Sequence, residues 1–330
     1  MLKQWMAAAA VFVLGAGAMA ADFEGPTYAE RLGWPEGTRA IIMHSDDAGM
    51  HRDANIGTIM AIEEGLCNSA SVMMPCGWVT PWRNWLRENP DFCNGIHLTL
   101  TSEWQSYRWP PLSSIDETPG LFDADGYMHR TVAQVAANAS AEEVRTEIMA
   151  QINMARRMGM DITHLDTHMG TVFERPDYTQ VYVEVGIQEQ IPVMIMGGHM
   201  TQVVQNHPMP EEGMRFVRQL AEHAWNNGLP VLDDLHSDVT GFGPLEQKRE
   251  TLIERLRTLK PGVTQFIVHC TKPSEVFADI SGSGPNRWSD VEVLMDPEVK
   301  RVIEEEGIVL TTWRELMERR QAVGGSSEQE

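Results

Sequence analysis

The chain predicts an α/β fold, a single (β/α) barrel of seven or eight parallel strands, regular or distorted. Short apolar runs alternate with longer segments of helical spacing, and the alternation recurs some seven or eight times. The competing open, doubly wound sheet is disfavoured because no glycine-rich phosphate fingerprint follows the first apolar run.

The elements follow in order. The first run, "RAIIMH" (39–44), reads as a buried strand that ends in two adjacent carboxylates, Asp46 and Asp47. Further strands are expected at "SASVMM" (69–74), "NGIHLTL" (94–100), "ITHLD" (162–166), "PVMIMG" (192–197), "PVLDD" (230–234), "QFIVHC" (265–270) and "GIVLTT" (307–312). The best helix is "SAEEVRTEIMAQINMARRMG" (140–159). Ser140 and Glu143 form a capping box there, Val144, Ile148, Ile152 and Ala155 make one face, and Gly159 stops it. Others run through "PLEQKRETLIERLRTLKPG" and "WRELMERRQA". Residues 102–130, rich in proline and aromatics, make a long loop of the kind that carries function.

Three domain limits are expected: a signal peptide over 1–20, one barrel domain over 21–320, and a disordered tail over 321–330. The N-terminus has a basic Lys3, a short apolar run and a small-residue "AMA" before Ala21, the pattern of a secretory signal. The mature chain is therefore expected outside the cytoplasm, periplasmic or secreted, with no membrane anchor after cleavage. A net charge of -21 excludes nucleic acid as a partner, since phosphate binding needs a basic surface. Cys67, Cys76, Cys93 and Cys270 are too few and too irregular for a zinc cage. One pair among the first three can be bridged in an oxidising compartment, or all can be small buried hydrophobes.

In a parallel barrel the site forms at the strand C-termini. The polar residues there are Asp46 and Asp47 after the first strand, His97 on the third, His164, Asp166 and His168 around the fourth, and His269 on the seventh. If "THLDTH" is extended, His164, Asp166 and His168 share one side. Adjacent aspartates face opposite ways in a strand, so both reach one site only if the chain turns, and Gly49 allows a turn. One carboxylate can then bind a metal while its neighbour takes a proton, the cation offsetting their repulsion.

These residues resemble the YdjC-like carbohydrate deacetylases, which include chitooligosaccharide deacetylases and are related to the polysaccharide deacetylases. The resemblance rests on "SDDAGMHRDAN" with Asn55, "GIHLTL", "THLDTH" and "VHC", and on the later "RWSDVEVL" and "GIVLTTWREL". It implies one divalent ion, zinc or magnesium, held by Asp47, His97 and His168, with Asp46 as general base and His269 as candidate general acid. Asn55, His164, Asp166, Trp104 and Arg287 become candidates for contact with an acetylated carbohydrate, the substrate the resemblance implies. The expected reaction is removal of an N-acetyl group with release of acetate. The alternatives are O-acetyl ester cleavage on a polysaccharide and sugar binding without catalysis. Ala48 stands where the family has Phe, "MGTVF" replaces a His-rich continuation after His168, and Cys270 replaces Pro, but every proposed ligand is retained.

Overall fold

The computed structural model describes residues 25–237 and 239–325. The proposed signal peptide lies outside the described residues, as do residues 326–330 of the tail. Residues 321–325, assigned above to that tail, instead continue the helix Trp313–Gly325.

Seven strands form among the described residues: β1 Arg39–Ala48, β2 Ser69–Val72, β3 Cys93–Leu98, β4 Leu165–Thr167, β5 Asp234–His236, β6 Gly262–Val268 and β7 Val309–Leu310. Every ladder is parallel, in the order β4-β3-β2-β1-β6-β5, with β7 against the start of β1. Parallel strands need crossovers, and helices supply them, among them Arg52–Glu63, Val79–Glu88 and Ala141–Arg157. The sheet curls into a distorted barrel. Residues 192–197, expected as a strand, make only isolated bridges, Leu165 to Val193 and Met196 to Leu232. Those bridges carry the sheet from β4 towards β5 as a seam of single pairs.

The strand ends explain each other. Along β1, Ala40 and Ile42 enter the larger core while Ile41 and Met43 enter the one between sheet and outer helices, as a period of two requires. The helix Ala141–Arg157 begins on the expected capping box, and Val144, Ile148, Ile152 and Ala155 are all fully buried. Its buried Glu147 accepts the backbone N–H groups of Leu112 and Ser113 at 3.1 and 2.8 Å, and its Gln151 accepts that of Thr99 at 3.1 Å. One helix thus anchors the 102–130 loop beside the end of β3. All four cysteines are free and buried, so the hydrophobe alternative holds and the bridge does not.

Candidate active site

Asp46 lies on the inward-facing series of β1, two residues beyond His44. Asp47 should then point outward, but its backbone takes the left-handed conformation at φ 69°, a region that non-glycine residues enter at a cost and Asp more readily than most. The turn expected at Gly49 therefore begins one carboxylate earlier, and Gly49 continues it at φ 76°. Asn55 holds this turn: its side-chain oxygen accepts the Gly49 N–H at 2.6 Å and its amide donates to the Trp78 carbonyl at 3.0 Å. Both ends of Asn55, proposed above for substrate, are engaged with backbone.

Asp47 Oδ1, His97 Nε2 and His168 Nδ1 then converge. The carboxylate oxygen lies 3.4 Å from each nitrogen, and the nitrogens lie 3.3 Å apart. His97 turns Nδ1 to Asp166 Oδ1 at 2.8 Å, and His168 turns Nε2 to Glu103 Oε2 at 3.1 Å. Those partners place the N–H of each neutral ring on the far side, leaving lone pairs facing the third donor. Asp47 Oδ1 is buried and has no hydrogen bond. Three mutually repelling acceptors in a dry pocket fit a cation: a tetrahedral ion about 2.0–2.1 Å from N and O ligands separates them by about 3.3 Å. The outer carboxylates on both rings complete the usual orienting pattern of metal-ligating histidines.

The same carboxylates also draw protons to the two rings. Burial would raise the Asp47 pKa, but the Arg287 guanidinium and the two imidazoles hold it well below the usual carboxylate range. Burial likewise opposes charge on His168, yet Glu103 and Asp47 raise it to about 9, while Asp46 and Asp166 raise His97 well above the ordinary value. Protons and a metal ion compete for the same lone pairs.

Asp46 sits beside this triangle, its Oδ2 3.8 Å from His97 Nε2 and 3.6 Å from His269 Nε2. The His269 side chain is about one-third exposed, and burial with the nearby Arg287 charge lowers its pKa. Its backbone N–H donates to Asp290 Oδ2 at 3.2 Å, and Asp290 is held in turn by the fully buried Lys248 at 2.5 Å.

The remaining candidates divide. Arg287 grips Asp47 Oδ2 at 2.6 Å. His164 and Asp166, placed above against substrate, are 0% and 1% exposed beneath the site. They are sealed because "THLDTH" runs down the inside of the barrel, where His164 stacks on Trp313. Trp104 is half-buried in an aromatic group with Tyr107, Trp109 and Phe277, and Trp109 in turn meets His168 edge-on. Sequence reasoning missed His44, Ser69, Ser71 and Glu103. Period two along β1 puts His44 on the face of Asp46 and could have found it, whereas Glu103 lies in a loop without periodicity.

Fold and site together define a class, an α/β barrel with a carboxylate–imidazole cluster at the strand ends. The YdjC-like protein family matches residues 40–305, and the chain belongs to that family. A carbohydrate deacetylase of Thermus thermophilus is 31% identical over 293 residues, covering 88% of this chain and 97% of the relative. Another, from Thermoanaerobacter pseudethanolicus, is 24% identical over 273 residues, covering 83% and 97%. A crystal structure from Enterococcus faecalis, named for a proposed cellobiose-phosphate cleavage, superposes with a TM-score of 0.71 at 22% identity, covering 84% of this chain and 99% of that one, and shares the fold.

Proposed function

We propose that this protein is a metal-dependent carbohydrate deacetylase that hydrolyses the N-acetyl amide of an amino sugar or its oligomers, acting outside the cytoplasm after removal of residues 1–20. The convergence of Asp47, His97 and His168 beside the carboxylate of Asp46 carries this reading. Relatives named carbohydrate deacetylase support it.

Asp47, His97 and His168 would hold one divalent ion, zinc or magnesium, which when bound polarises the acetyl carbonyl and acidifies a water. Two nitrogens and one oxygen suit zinc, and the donor set admits magnesium. Arg287 holds Asp47 by one oxygen and leaves the other for the metal. Asp166 and Glu103 keep the two rings turned. Asp46 takes the proton from the attacking water, as a base within reach of the reacting centre. His269, whose Nε2 lies 3.6 Å from Asp46, is placed to relay that proton to the departing sugar nitrogen. Water adds across the amide, giving acetate and a free amine. The half-buried Trp104 offers a ring face for a sugar.

The test is acetate release from N-acetylglucosamine oligomers by chelator-stripped protein resupplied with zinc or magnesium, beside matched O-acetylated polysaccharides. Release from the amide only with metal is the expected result. Release from esters alone would transfer the same site to ester cleavage, and silence on both would leave a binding protein.

A further inference from the structure

We propose that His44 is a positioning residue for this reaction: one buried imidazole on β1 sets both Asp46, the base, and Asp166, the carboxylate that orients the metal-binding His97. The inference rests on the roles just given to Asp46 and His97.

His44 is fully buried inside the barrel, on the same face of β1 as Ala40 and Ile42. The β1–β2 register pairs it with Ser69, whose Oγ lies 2.9 Å from Nδ1, while Ser71 Oγ lies 3.0 Å from Nε2. The same Nε2 is 2.8 Å from Asp166 Oδ2 and 3.2 Å from Asp46 Oδ1. The hydroxyl of Ser71 and the two carboxylate oxygens thus converge on one ring nitrogen. Both oxygens are buried and have no hydrogen bond, so the imidazole is the group that compensates them.

The ring is packed on its faces as well. His164 packs edge-on against His44 at 5.0 Å between centroids and is itself stacked on Trp313 at 5.3 Å. Ser71 Oγ also lies 3.2 Å from His97 Nδ1, so the hydroxyl that holds His44 touches the ligand ring as well. Two paths thus join His44 to the catalytic layer: directly to Asp46, and through Asp166 or Ser71 to His97. A histidine that merely filled the core would need neither carboxylate. With an apolar residue in its place, Asp46 and Asp166 would repel each other across a dry gap and swing apart.

The experiment compares His44→Leu and His44→Gln with the wild type, each loaded with zinc for kinetics and with cobalt(II) for absorption. We expect His44→Leu to lose about 10- to 100-fold in kcat, the range for removal of a supporting partner, with KM changed by less than about threefold. Its cobalt d–d bands should shift as His97 is released, and His44→Gln, which keeps an N–H donor, should recover most of both signals. If His44→Leu does not fold, His44→Asn, polar but too short to reach both carboxylates, takes its place with the same expectation. Wild-type kcat together with unshifted cobalt bands in a folded Leu or Asn variant would overturn the proposal, as would a Gln variant no better than Leu. Should the wild type release no acetate from any carbohydrate, the deacetylase reading fails. His44 is then judged by the cobalt bands alone, a shift supporting its role and an unshifted spectrum overturning it.

Discussion

Asp47 and Asp233 are buried carboxylates of one barrel, 1% and 0% exposed, yet the fold treats them in opposite ways. Asp233 sits near the first residue of β6, at the end of the barrel away from the candidate site, and its oxygens accept backbone N–H groups from Tyr28, Ala29 and Val263 at 2.9, 3.2 and 2.8 Å. Asp47 keeps one oxygen without a hydrogen bond and sits on strained backbone. A carboxylate that staples loops together is filled by the chain. One left open and propped by charge has room for a cation, and that contrast points to function better than burial does.

The comparison can be broken by experiment. The largest expected effect is at the open end: Asp47→Asn or His168→Ala should lose bound metal and activity together, by elemental analysis and acetate release, with the melting temperature of the metal-free protein little changed. Retained metal in either variant would end the assignment of ligands. Next, Asp46→Asn should keep its ion and lose about 10²–10⁴-fold in kcat, the usual worth of a general base. A metal-free Asp46→Asn protein would instead exchange the roles of the two aspartates. Glu103→Gln should weaken zinc binding by about tenfold, as loss of an outer carboxylate does; competition with a chelator dye reads this directly.

At the filled end the expected signal is stability. Burial outweighs the N–H donors and raises Asp233 from 3.8 to about 7. A carboxyl raised on folding binds its proton more tightly in the native state, so the fold loses stability as pH climbs from about 4 to about 7 and recovers it on acidification. The contribution is on the order of 2–4 kcal/mol across that window. Chemical denaturation of Asp233→Asn at several pH values should show a flatter dependence with metal content unchanged. A slope equal to the wild type's would show that Asp233 is already ionised throughout. The smallest effect belongs to the rim, where Trp104→Ala should raise KM about threefold to tenfold if a sugar stacks there.

Much of this was legible in the sequence, for physical reasons that differ by element. The apolar run of β1 and the capping box at Ser140 are local signals, and both elements formed where periodicity placed them. Asp46, Asp47, His97 and His168 were legible because strand ends in a parallel barrel share one mouth. Residues 192–197 look like a strand yet achieve only single bridges, since register at a distorted seam depends on neighbours far away in the chain. His164 and Asp166 were read as facing substrate because alternation tells which residues share a face, not how deep along the barrel that face lies. Glu103 could not be placed at all, because its loop is shaped by contacts from a helix that begins almost forty residues later.

The left-handed backbone at Asp47 also limits which amino acids evolution can try there. Glutamate carries the same charge, but its side chain gains no local hydrogen bond that would favour such a backbone, and its extra methylene would carry the oxygen past the two imidazoles. Glycine would relax the turn and remove the ligand. Asparagine alone matches the shape and tolerates the conformation, and it discards the charge. The position therefore has almost no neutral neighbours in sequence space, and on the proposed reading any departure from aspartate here forfeits the metal.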